Sequence, residues 1–292
     1  MGASMASNLQ EAGYDLVVND IRRHVAAPHL EAGAEWADSA AQVGEAADVV
    51  FTSLPTPLDV ESVATGLLPT MASGKVYFDL STNSPTLVRE LHTAFSARGV
   101  HMLDAPVSGG PAGAKSGRLA IWVGGDQHVF DRHTKLLGAI GDQVMYVGPI
   151  GSGSIAKLVH NCSGYMIQCA LAEAFTMGIK AGVEPLALWQ AVRQGALGRQ
   201  RTFDRLVDHF LSGKFDPPDF ALRLAHKDVS LATAVGRQHH VPMRMAHLAL
   251  EELTEALNRG WGERDSRVAM VLQEERAQVE IKVDEDRLRQ AM

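Results

Sequence analysis

The first half of the chain alternates between short, continuous apolar runs and longer segments whose apolar residues have helical spacing. Continuous apolar runs are typical of parallel strands that are covered on both faces. The pattern therefore predicts an α/β domain with a Rossmann-like, doubly wound parallel sheet. The predicted strands are residues 15–20, 48–55, 75–81, 100–106, 118–125 and 143–149, and the predicted helices are residues 3–12, 39–45, 85–97 and 126–137.

Helical spacing replaces the strand pattern beyond Gly153. We therefore expect two domains, residues 1–150 with the sheet and residues 151–292 with helices alone. The charged end KVDEDRLRQAM (282–292) is predicted to be a solvated tail. The helices predicted in the second domain are residues 154–182, 185–196, 201–211, 219–238, 242–259 and 264–280.

The overall charge narrows the choice of partners. A formal net charge of −7 argues against nucleic acid and anionic membranes, which bind basic surfaces. The longest apolar stretch, residues 155–183, contains lysine, histidine, asparagine and glutamate, so it predicts a buried helix rather than a membrane span. No basic, apolar leader opens the chain, and we expect a cytoplasmic protein.

Cys162 and Cys169 lie two helical turns apart, about 10 Å, which is too far for a disulfide.

Small and polar residues follow the predicted strands. In an open α/β sheet, ligands bind at the carboxyl ends of the strands. Each such turn is ordinary by itself, but four in series along one edge favour a cofactor cleft. The residues concerned are Asp20; Thr52, Ser53 and Pro55; Ser81, Thr82 and Asn83; and Ser108 to Gly110.

Asp20 ends the first predicted strand, where NAD-binding proteins place an acid that hydrogen-bonds the adenosine ribose. A turn-forming aspartate at a strand end is the alternative. Arg22 and Arg23 follow directly, and an arginine there accommodates the 2′-phosphate of NADP. The cofactor is thus NAD or NADP, and the acid favours NAD. No metal site is predicted.

The stretch DAPVSGGPAGAKSG (104–117) places Ser-Gly-Gly after a predicted strand. Glycine accepts positive φ, so the backbone at Gly109 and Gly110 can approach a ligand and turn its N–H groups toward an anion. The hydroxyl of Ser108 adds a donor. A substrate carboxylate fits this loop, and a plain glycine-rich turn is the alternative.

The stretch GSGSIAKLVHN (151–161) opens the first helix of the second domain. Lys157 and Asn161 are four residues apart and share one face of that helix. Apolar neighbours leave the ammonium of Lys157 poorly hydrated, which suits it for general acid–base chemistry. A surface lysine is the alternative. His160 lies on another face and is interpreted as structural.

Together these stretches resemble the β-hydroxyacid dehydrogenases, the family that includes 3-hydroxyisobutyrate dehydrogenase, tartronate semialdehyde reductase and L-threonate dehydrogenase. The resemblance runs from residue 1 to roughly residue 280. It is carried by MGASMASNLQEAG, TSLP, DLST, DAPVSGGPAGAKSG, GSGSIAKLVHN and HKDVSLA (226–232). It implies reversible hydride transfer between NAD(P) and a small 3-hydroxy acid, or its semialdehyde.

The resemblance also implies roles for single residues. Lys157 would be the catalytic acid–base group, and Asn161 would bind a substrate hydroxyl. Ser108, Gly109 and Gly110 would bind the substrate carboxylate. A homodimer or homotetramer is expected. The residues implied in cofactor binding are Gly2, Asp20, Leu54, Pro55, Thr82 and Lys227.

The family's usual start is a strand followed by G-x-G-x-x-G, and this chain begins at the third of those glycines, Gly2. We expect the first strand and two glycines either to lie upstream of the given start or to be missing, with weaker cofactor binding. His160 and Arg118 depart from the residues common at their positions and bear on which substrate fits. The competing functions are an imine or other carbonyl reductase on the same scaffold, and a scaffold protein without full activity.

Overall fold

The computed structural model describes residues 1–180, 182–195, 199, 206–238 and 243–291. The chain divides into two compact units, Met1–Val159 and His160–Met292. This division falls later than residue 150, because the start of the helix that follows is hydrogen-bonded to a strand of the first unit.

The first unit alternates strands with helices, as the apolar runs predict. The strands are β1 Val17–Val18, β2 Glu35–Trp36, β3 Val49–Thr52, β4 Val76–Asp79, β5 His101–Asp104, β6 Val107–Ser108, β7 Ala120–Gly124 and β8 Gln143–Gly148. The helices are α1 Gly2–Glu11, α2 Ala27–Glu31, α3 Ala40–Ala46, α4 Pro57–Leu67, α5 Pro85–Ser96, α6 Gly110–Ser116 and α7 Gln127–Gly138, with a 3₁₀ turn at Arg23–Ala26.

Side-chain caps determine where several of these helices begin. The Oγ of Ser39 accepts the N–H of Gln42 before α3, and Asp126 accepts two N–H groups at the start of α7. Thr56 does the same for α4, with a proline in the first turn. Such caps satisfy N–H groups that lack partners within the helix. The sequence analysis did not predict α4, although its Thr-Pro start is a capping signal.

Six strands form one sheet, in the order β3-β4-β5-β7-β6, with β8 paired to β7. Strands β3, β4 and β5 are parallel, as predicted. The expectation of a wholly parallel sheet is wrong at β7, which runs antiparallel to β5 and β6. The connection from β6 to β7 contains only the seven-residue helix α6, and a parallel return needs a crossover of about a dozen residues or more.

Strands β1 and β2 form a separate, parallel two-stranded sheet. Within the residues that the structure describes, β1 pairs only with β2 and β3 pairs only with β4. The strand DLVVND predicted over residues 15–20 is thus shorter than expected, and it stands apart from the large sheet.

The large sheet is buried on both faces. Val76 and Phe78 of β4 belong to an apolar cluster that includes Met5 of α1, while Tyr77 belongs to another cluster with Phe95 of α5. Successive residues of a strand point to opposite faces, so helices cover both sides of β4. This confirms the Rossmann-like α/β class and explains why the strands appear as continuous apolar runs.

The second unit is helical, as predicted, and none of its described helices is long and apolar enough to cross a membrane. Helix α8, Ser152–Lys180, begins within the first unit and continues into the second. Of the helix predicted over residues 201–211, residues 201–205 lie outside the described part, and Val207–Leu211 form a π-helical turn. The other elements are α9 Pro185–Gln194, α10 Leu222–Gln238, α11 Arg244–Asn258, a 3₁₀ segment Ser266–Met270, α12 Val271–Ala277 and α13 Glu285–Ala291.

The end of the chain packs against this helical unit instead of extending into solvent. Ile281, Val283 and Leu288 are buried in the cluster around Trp189. The N–H of Val283 also donates to the carbonyl of Leu211 at 2.7 Å. The prediction of a solvated tail is therefore wrong, because three apolar residues among the charges supply a buried face.

Candidate active site

A row of buried polar side chains lies at the carboxyl ends of three neighbouring strands. Thr52, Asp79 and Asp104 are register partners on β3, β4 and β5, and their exposed fractions are 6%, 1% and 1%. A buried carboxylate requires hydrogen-bond donors. The donors around Asp79 and Asp104 therefore show which segments each carboxylate holds in place.

Asp79 holds the turn that follows its own strand. Its Oδ1 accepts the hydroxyl of Thr52 at 2.9 Å and the N–H of Ser81 at 3.0 Å. Its Oδ2 accepts the Nδ2 group of Asn83 at 2.9 Å. Burial raises the pKa of the Asp79 carboxyl, and these hydrogen bonds act in the opposite direction.

Four of the predicted cofactor residues lie on the loops beside Asp79 and on the start of α1. The N–H of Leu54 donates to the Oγ of Ser81 at 2.9 Å, and exposed Pro55 follows it. Half-buried Thr82 lies between the two residues bonded to Asp79. A Cβ on Gly2, where α1 begins, would lie 3.7 Å from the Cβ of Ser53. The helix N-terminus therefore adjoins the loop after β3.

Asp20 lies just beyond β1 with its carboxylate turned back toward the following residues. Its Oδ1 accepts the N–H of Arg22 at 2.8 Å, and the Nε of Arg22 lies 3.5 Å from the same oxygen. Ile21 between them is fully exposed, and the guanidinium of Arg23 lies 5.2 Å from the centre of the Trp36 ring. The acid and the two guanidinium groups predicted to discriminate NAD from NADP thus share one turn.

The Ser-Gly-Gly loop has the backbone that the sequence predicts. Gly109 and Gly110 have φ values of +134° and +60°. A Cβ on Gly109 would also lie 3.1 Å from the Cδ2 of Leu119, so the conformation favours glycine and the space beside it is tight. Ser108 ends β6 and is half-buried directly before these glycines.

Asp104 holds the first turn of α8. Its Oδ1 accepts the N–H of Gly151 at 2.7 Å, and its Oδ2 accepts the N–H of Ser154 at 2.6 Å. Burial raises the pKa of this carboxyl and the two N–H groups lower it. Lys157, one helical turn beyond Ser154, is only 9% exposed. The expectation that Lys157 is shielded from bulk water is confirmed.

In the second unit, one buried acid joins two predicted site residues. The Nδ2 of Asn161 donates to the Oδ2 of Asp228, and the Nζ of Lys227 lies 2.9 Å from Oδ1 of the same carboxylate. Asp228 is fully buried, whereas Lys227 is one-fifth exposed. The carboxylate therefore accepts a hydrogen bond from the amide of Asn161 and forms an ion pair with the ammonium of Lys227.

Tyr165, one turn beyond Asn161 on α8, adjoins the same acid. Burial raises the pKa of its hydroxyl well above the ordinary value, and the negative charge of Asp228 adds to this effect. Its ring stacks on Phe220 at 6.3 Å between centroids. His160, interpreted as structural, is exposed on α8.

A further polar cluster in the second unit surrounds His209. Its Nε2 lies 3.1 Å from Oδ2 of Asp219 and 3.5 Å from Oδ2 of Asp265. Such a trio can hold a metal ion, but a guanidinium nitrogen of Arg267 lies 3.1 Å from the other oxygen of Asp265. Two backbone N–H groups also donate to Oδ2 of Asp265. Since these oxygens already have donors and a cation, we interpret the trio as an ion network.

Sequence reasoning missed three acids, Asp79, Asp104 and Asp228, although it identified their neighbours. A signal existed for two of them, because Asp79 and Asp104 end buried apolar runs as Asp20 does. Asp228 lies inside the HKDVSLA stretch, in which the sequence analysis predicted a role only for Lys227. Cys162 and Cys169 are not joined in a disulfide, and burial raises the pKa of the Cys162 thiol.

Comparison with known protein families matches both parts of the chain. Residues 1–148 match the NAD-binding domain of 6-phosphogluconate dehydrogenase. Residues 151–272 match the NAD-binding domain of NADP-dependent 3-hydroxyisobutyrate dehydrogenase. Both families are defined by nicotinamide dinucleotide binding, which agrees with the polar rim at the carboxyl ends of the strands.

Individual relatives are similar over nearly the whole chain. An NAD-dependent L-serine dehydrogenase from Pseudomonas aeruginosa is 34% identical, covering 93% of this chain and 94% of its own. Mitochondrial 3-hydroxyisobutyrate dehydrogenase from Rattus norvegicus is 33% identical, with 94% and 85% covered. The solved structure of Mycobacterium tuberculosis 3-hydroxyisobutyrate dehydrogenase with L-serine has a TM-score of 0.84 at 27% identity, with 93% and 95% covered.

Proposed function

Because the chain belongs to the β-hydroxyacid dehydrogenase family of NAD(P)-dependent oxidoreductases, we propose that it oxidises a small 3-hydroxy acid reversibly to the semialdehyde. The observation that carries this proposal is the buried Lys157, whose helix is held in place by the buried carboxylate of Asp104. A lysine shielded from water, one turn from a fixed helix start, is suited to proton exchange with a substrate.

The residues at the carboxyl edge of the first unit fit a dinucleotide. Helix α1 has ten residues, no acid in its first turn and no side-chain cap, so the N–H groups of its first turn, beginning at Gly2, favour a phosphate anion. Asp20 would bind the adenosine ribose, and Leu54, Pro55 and Thr82 would line the cofactor groove. Lys227 is the further residue that the family resemblance implies in cofactor binding. When bound, the nicotinamide ring supplies the hydride acceptor in oxidation and the hydride donor in reduction.

Groups of the protein exchange the proton of the substrate hydroxyl and bind the substrate carboxylate. In oxidation, the Nζ of Lys157 as a neutral amine accepts the proton of the substrate hydroxyl, and in reduction the ammonium returns it. Ser108 and the backbone N–H groups of Gly109 and Gly110 bind the substrate carboxylate. Asn161 binds the substrate hydroxyl while Asp228 fixes its amide group.

The names of the relatives support the proposed substrate class. L-Serine and 3-hydroxyisobutyrate both carry a carboxylate and a hydroxyl on the third carbon, and they differ at the second carbon. We infer that this chain recognises the shared unit, with the Ser-Gly-Gly loop for the carboxylate and Lys157 for the hydroxyl. NAD is the preferred cofactor in this proposal, because Asp20 lies just beyond β1 and pairs with Arg22 itself.

The test replaces Lys157 with alanine and compares turnover of a panel of short 3-hydroxy acids. General acid–base groups contribute roughly 10²–10⁴-fold to rate, so Lys157→Ala should reduce kcat by at least ~100-fold. Lys135→Ala, an exposed lysine on α7, is the matched control and should leave turnover unchanged. Turnover of Lys157→Ala within tenfold of the wild type, with folding unchanged by circular dichroism, would refute the assignment.

The same panel distinguishes the competing functions. Turnover of cyclic imines above that of hydroxy acids would favour an imine reductase, and neither turnover nor NAD(P) binding at millimolar concentration would favour a scaffold. Separate titrations with NAD and NADP test the cofactor preference. A homodimer or homotetramer and a cytoplasmic location stay predictions, and light scattering of the purified protein checks the first.

A further inference from the structure

We propose that Asp79 is a positioning residue for the cofactor, because its buried carboxylate fixes the two loops that carry Leu54 and Thr82. The inference rests on the proposed function only in assigning those loops to the cofactor. The carboxylate lies beneath the loops, at the end of β4, and is 1% exposed. Asp79 therefore acts through its neighbours rather than by touching a ligand.

Both oxygens of Asp79 are occupied by donors. Oδ1 accepts the hydroxyl of Thr52 and the N–H of Ser81, while Oδ2 accepts the amide nitrogen of Asn83. The hydroxyl of Tyr77 lies 3.0 Å from that of Thr52 and is left to donate to it. A carboxylate, which only accepts, matches this set of donors, whereas an amide nitrogen would face another donor.

The hydrogen bonds continue from Asp79 into both loops. On the β3 side, the N–H of Leu54 donates to Ser81, whose own backbone is bonded to Asp79. On the β4 side, Oδ1 of Asn83 accepts the N–H of Ser84 at 2.7 Å. Thr82 thus lies between two anchored residues. One buried charge determines the backbone on both sides of the predicted cofactor groove.

The hydrophobic core of the sheet does not depend on this carboxylate. Val76, Tyr77 and Phe78 precede it on β4 and pack into the two apolar clusters that hold the strand. Replacing Asp79 with asparagine leaves those clusters and the side-chain volume unchanged. The change is therefore expected to alter the loops at the edge rather than the sheet.

The first experiment measures NAD(P)H binding to Asp79→Asn by fluorescence titration. The introduced amide nitrogen faces the amide nitrogen of Asn83 or the donors on the other oxygen, so one anchor is lost. We expect the dissociation constant to rise at least about tenfold, equivalent to 1.4 kcal/mol. We expect kcat at saturating cofactor to change by less than about threefold, since Lys157 is not held by Asp79.

A compensating variant tests the hydrogen-bond pattern itself. In Asp79→Asn with Asn83→Asp, the amide of residue 79 donates to the new carboxylate, whose second oxygen still accepts the N–H of Ser84. Oδ1 of residue 79 keeps the hydroxyl of Thr52 and the N–H of Ser81. Every bond is restored with the same net charge, so cofactor affinity should return to within about threefold of the wild type.

Asp104→Asn is the matched control, because Asp104 is equally buried on the neighbouring strand but bonds the start of α8. It should reduce kcat and leave the dissociation constant of the cofactor within about twofold. Ser81→Ala removes the acceptor of the Leu54 N–H together with the side-chain hydrogen bond from Ser81 to Asp79, and it tests the proposal if Asp79→Asn does not fold. It should raise the dissociation constant severalfold.

The outcomes separate this proposal from the proposed function. A wild-type protein that binds no NAD(P)H contradicts both. Wild-type binding with unchanged affinity in folded Asp79→Asn, or in Ser81→Ala, overturns the role of Asp79 alone. Failure of the folded double variant to recover affinity also overturns it. A rise in the dissociation constant that the double variant reverses, with Asp104→Asn unaffected in binding, establishes the positioning role.

Discussion

Glu274 offers a quantitative test of the packing at the end of the chain. This glutamate lies on α12, half-buried, and accepts the backbone N–H of Ile281. Burial raises the pKa of its carboxyl to about 7, and repulsion from Glu280 and Glu275 adds to the rise. Because Ile281 begins the segment that packs into the core around Trp189, the charge of Glu274 is coupled to the docking of that segment.

The sign and size of the effect follow from the linkage between proton binding and folding. A pKa raised in the folded state means that the stability is fully present below the ordinary value of 4.5 and is lost as pH rises through about 7. At 1.36 kcal/mol per pH unit, the free energy of unfolding would fall by at most ~3.4 kcal/mol. Water reaches the half-buried side chain and screens its charge, so we expect about 1–2 kcal/mol.

The assay compares the wild type with Glu274→Gln, which keeps an oxygen to accept the N–H of Ile281 but cannot ionise. Urea unfolding and hydrogen exchange of the Ile281 and Val283 amides are measured at pH 4 and pH 8. The variant should be about 1–2 kcal/mol more stable at pH 8 and equal to the wild type within roughly 0.5 kcal/mol at pH 4. Glu90→Gln, an exposed glutamate on α5, is the control. An equal pH dependence in the wild type and Glu274→Gln would refute the reasoning.

Two further predictions concern the site. Gly109→Ala should lower kcat/KM for 3-hydroxy acids at least about tenfold and destabilise the first unit by roughly 1–3 kcal/mol, because φ is +134° and Leu119 is in contact. A normal melting temperature with normal kinetics would contradict this. Asp228→Asn should raise KM for the substrate and the cofactor together, because the carboxylate holds both Asn161 and Lys227. A change in only one of the two KM values would show that this coupling is absent.

The parts of the fold that the sequence predicts are those determined within a few residues. Strand β4 is covered on both faces, and its continuous run of apolar residues predicts this burial. The Ser-Gly-Gly loop is predictable for the same reason, since positive φ is a property of the glycine itself. Burial of Lys157 follows from its apolar neighbours on α8.

The direction of β7 and the packing of the last residues depend on distant partners. A continuous apolar run does not indicate whether the neighbouring strand is parallel or antiparallel. The direction of β7 depends instead on the short connection through α6. The last residues appear as a charged tail because their partner, Leu211, is far away in sequence. Burial of Val283 follows only when the π-helical turn that ends at Leu211 lies beside it.

The buried acids show why only some residues of the candidate site can be predicted from the sequence. A group that touches a ligand is recognised by its chemistry, as with Lys157 or Gly109. A group that positions others is recognised by its partners, and these are 47 and 50 residues away for Asp104 and 67 for Asp228. A buried carboxylate without donors is strongly disfavoured, so each of these acids commits distant segments to one arrangement. A double substitution that keeps every donor paired with an acceptor, such as Asp79→Asn with Asn83→Asp, should therefore preserve the arrangement. The single substitutions leave a donor without an acceptor and should disturb it.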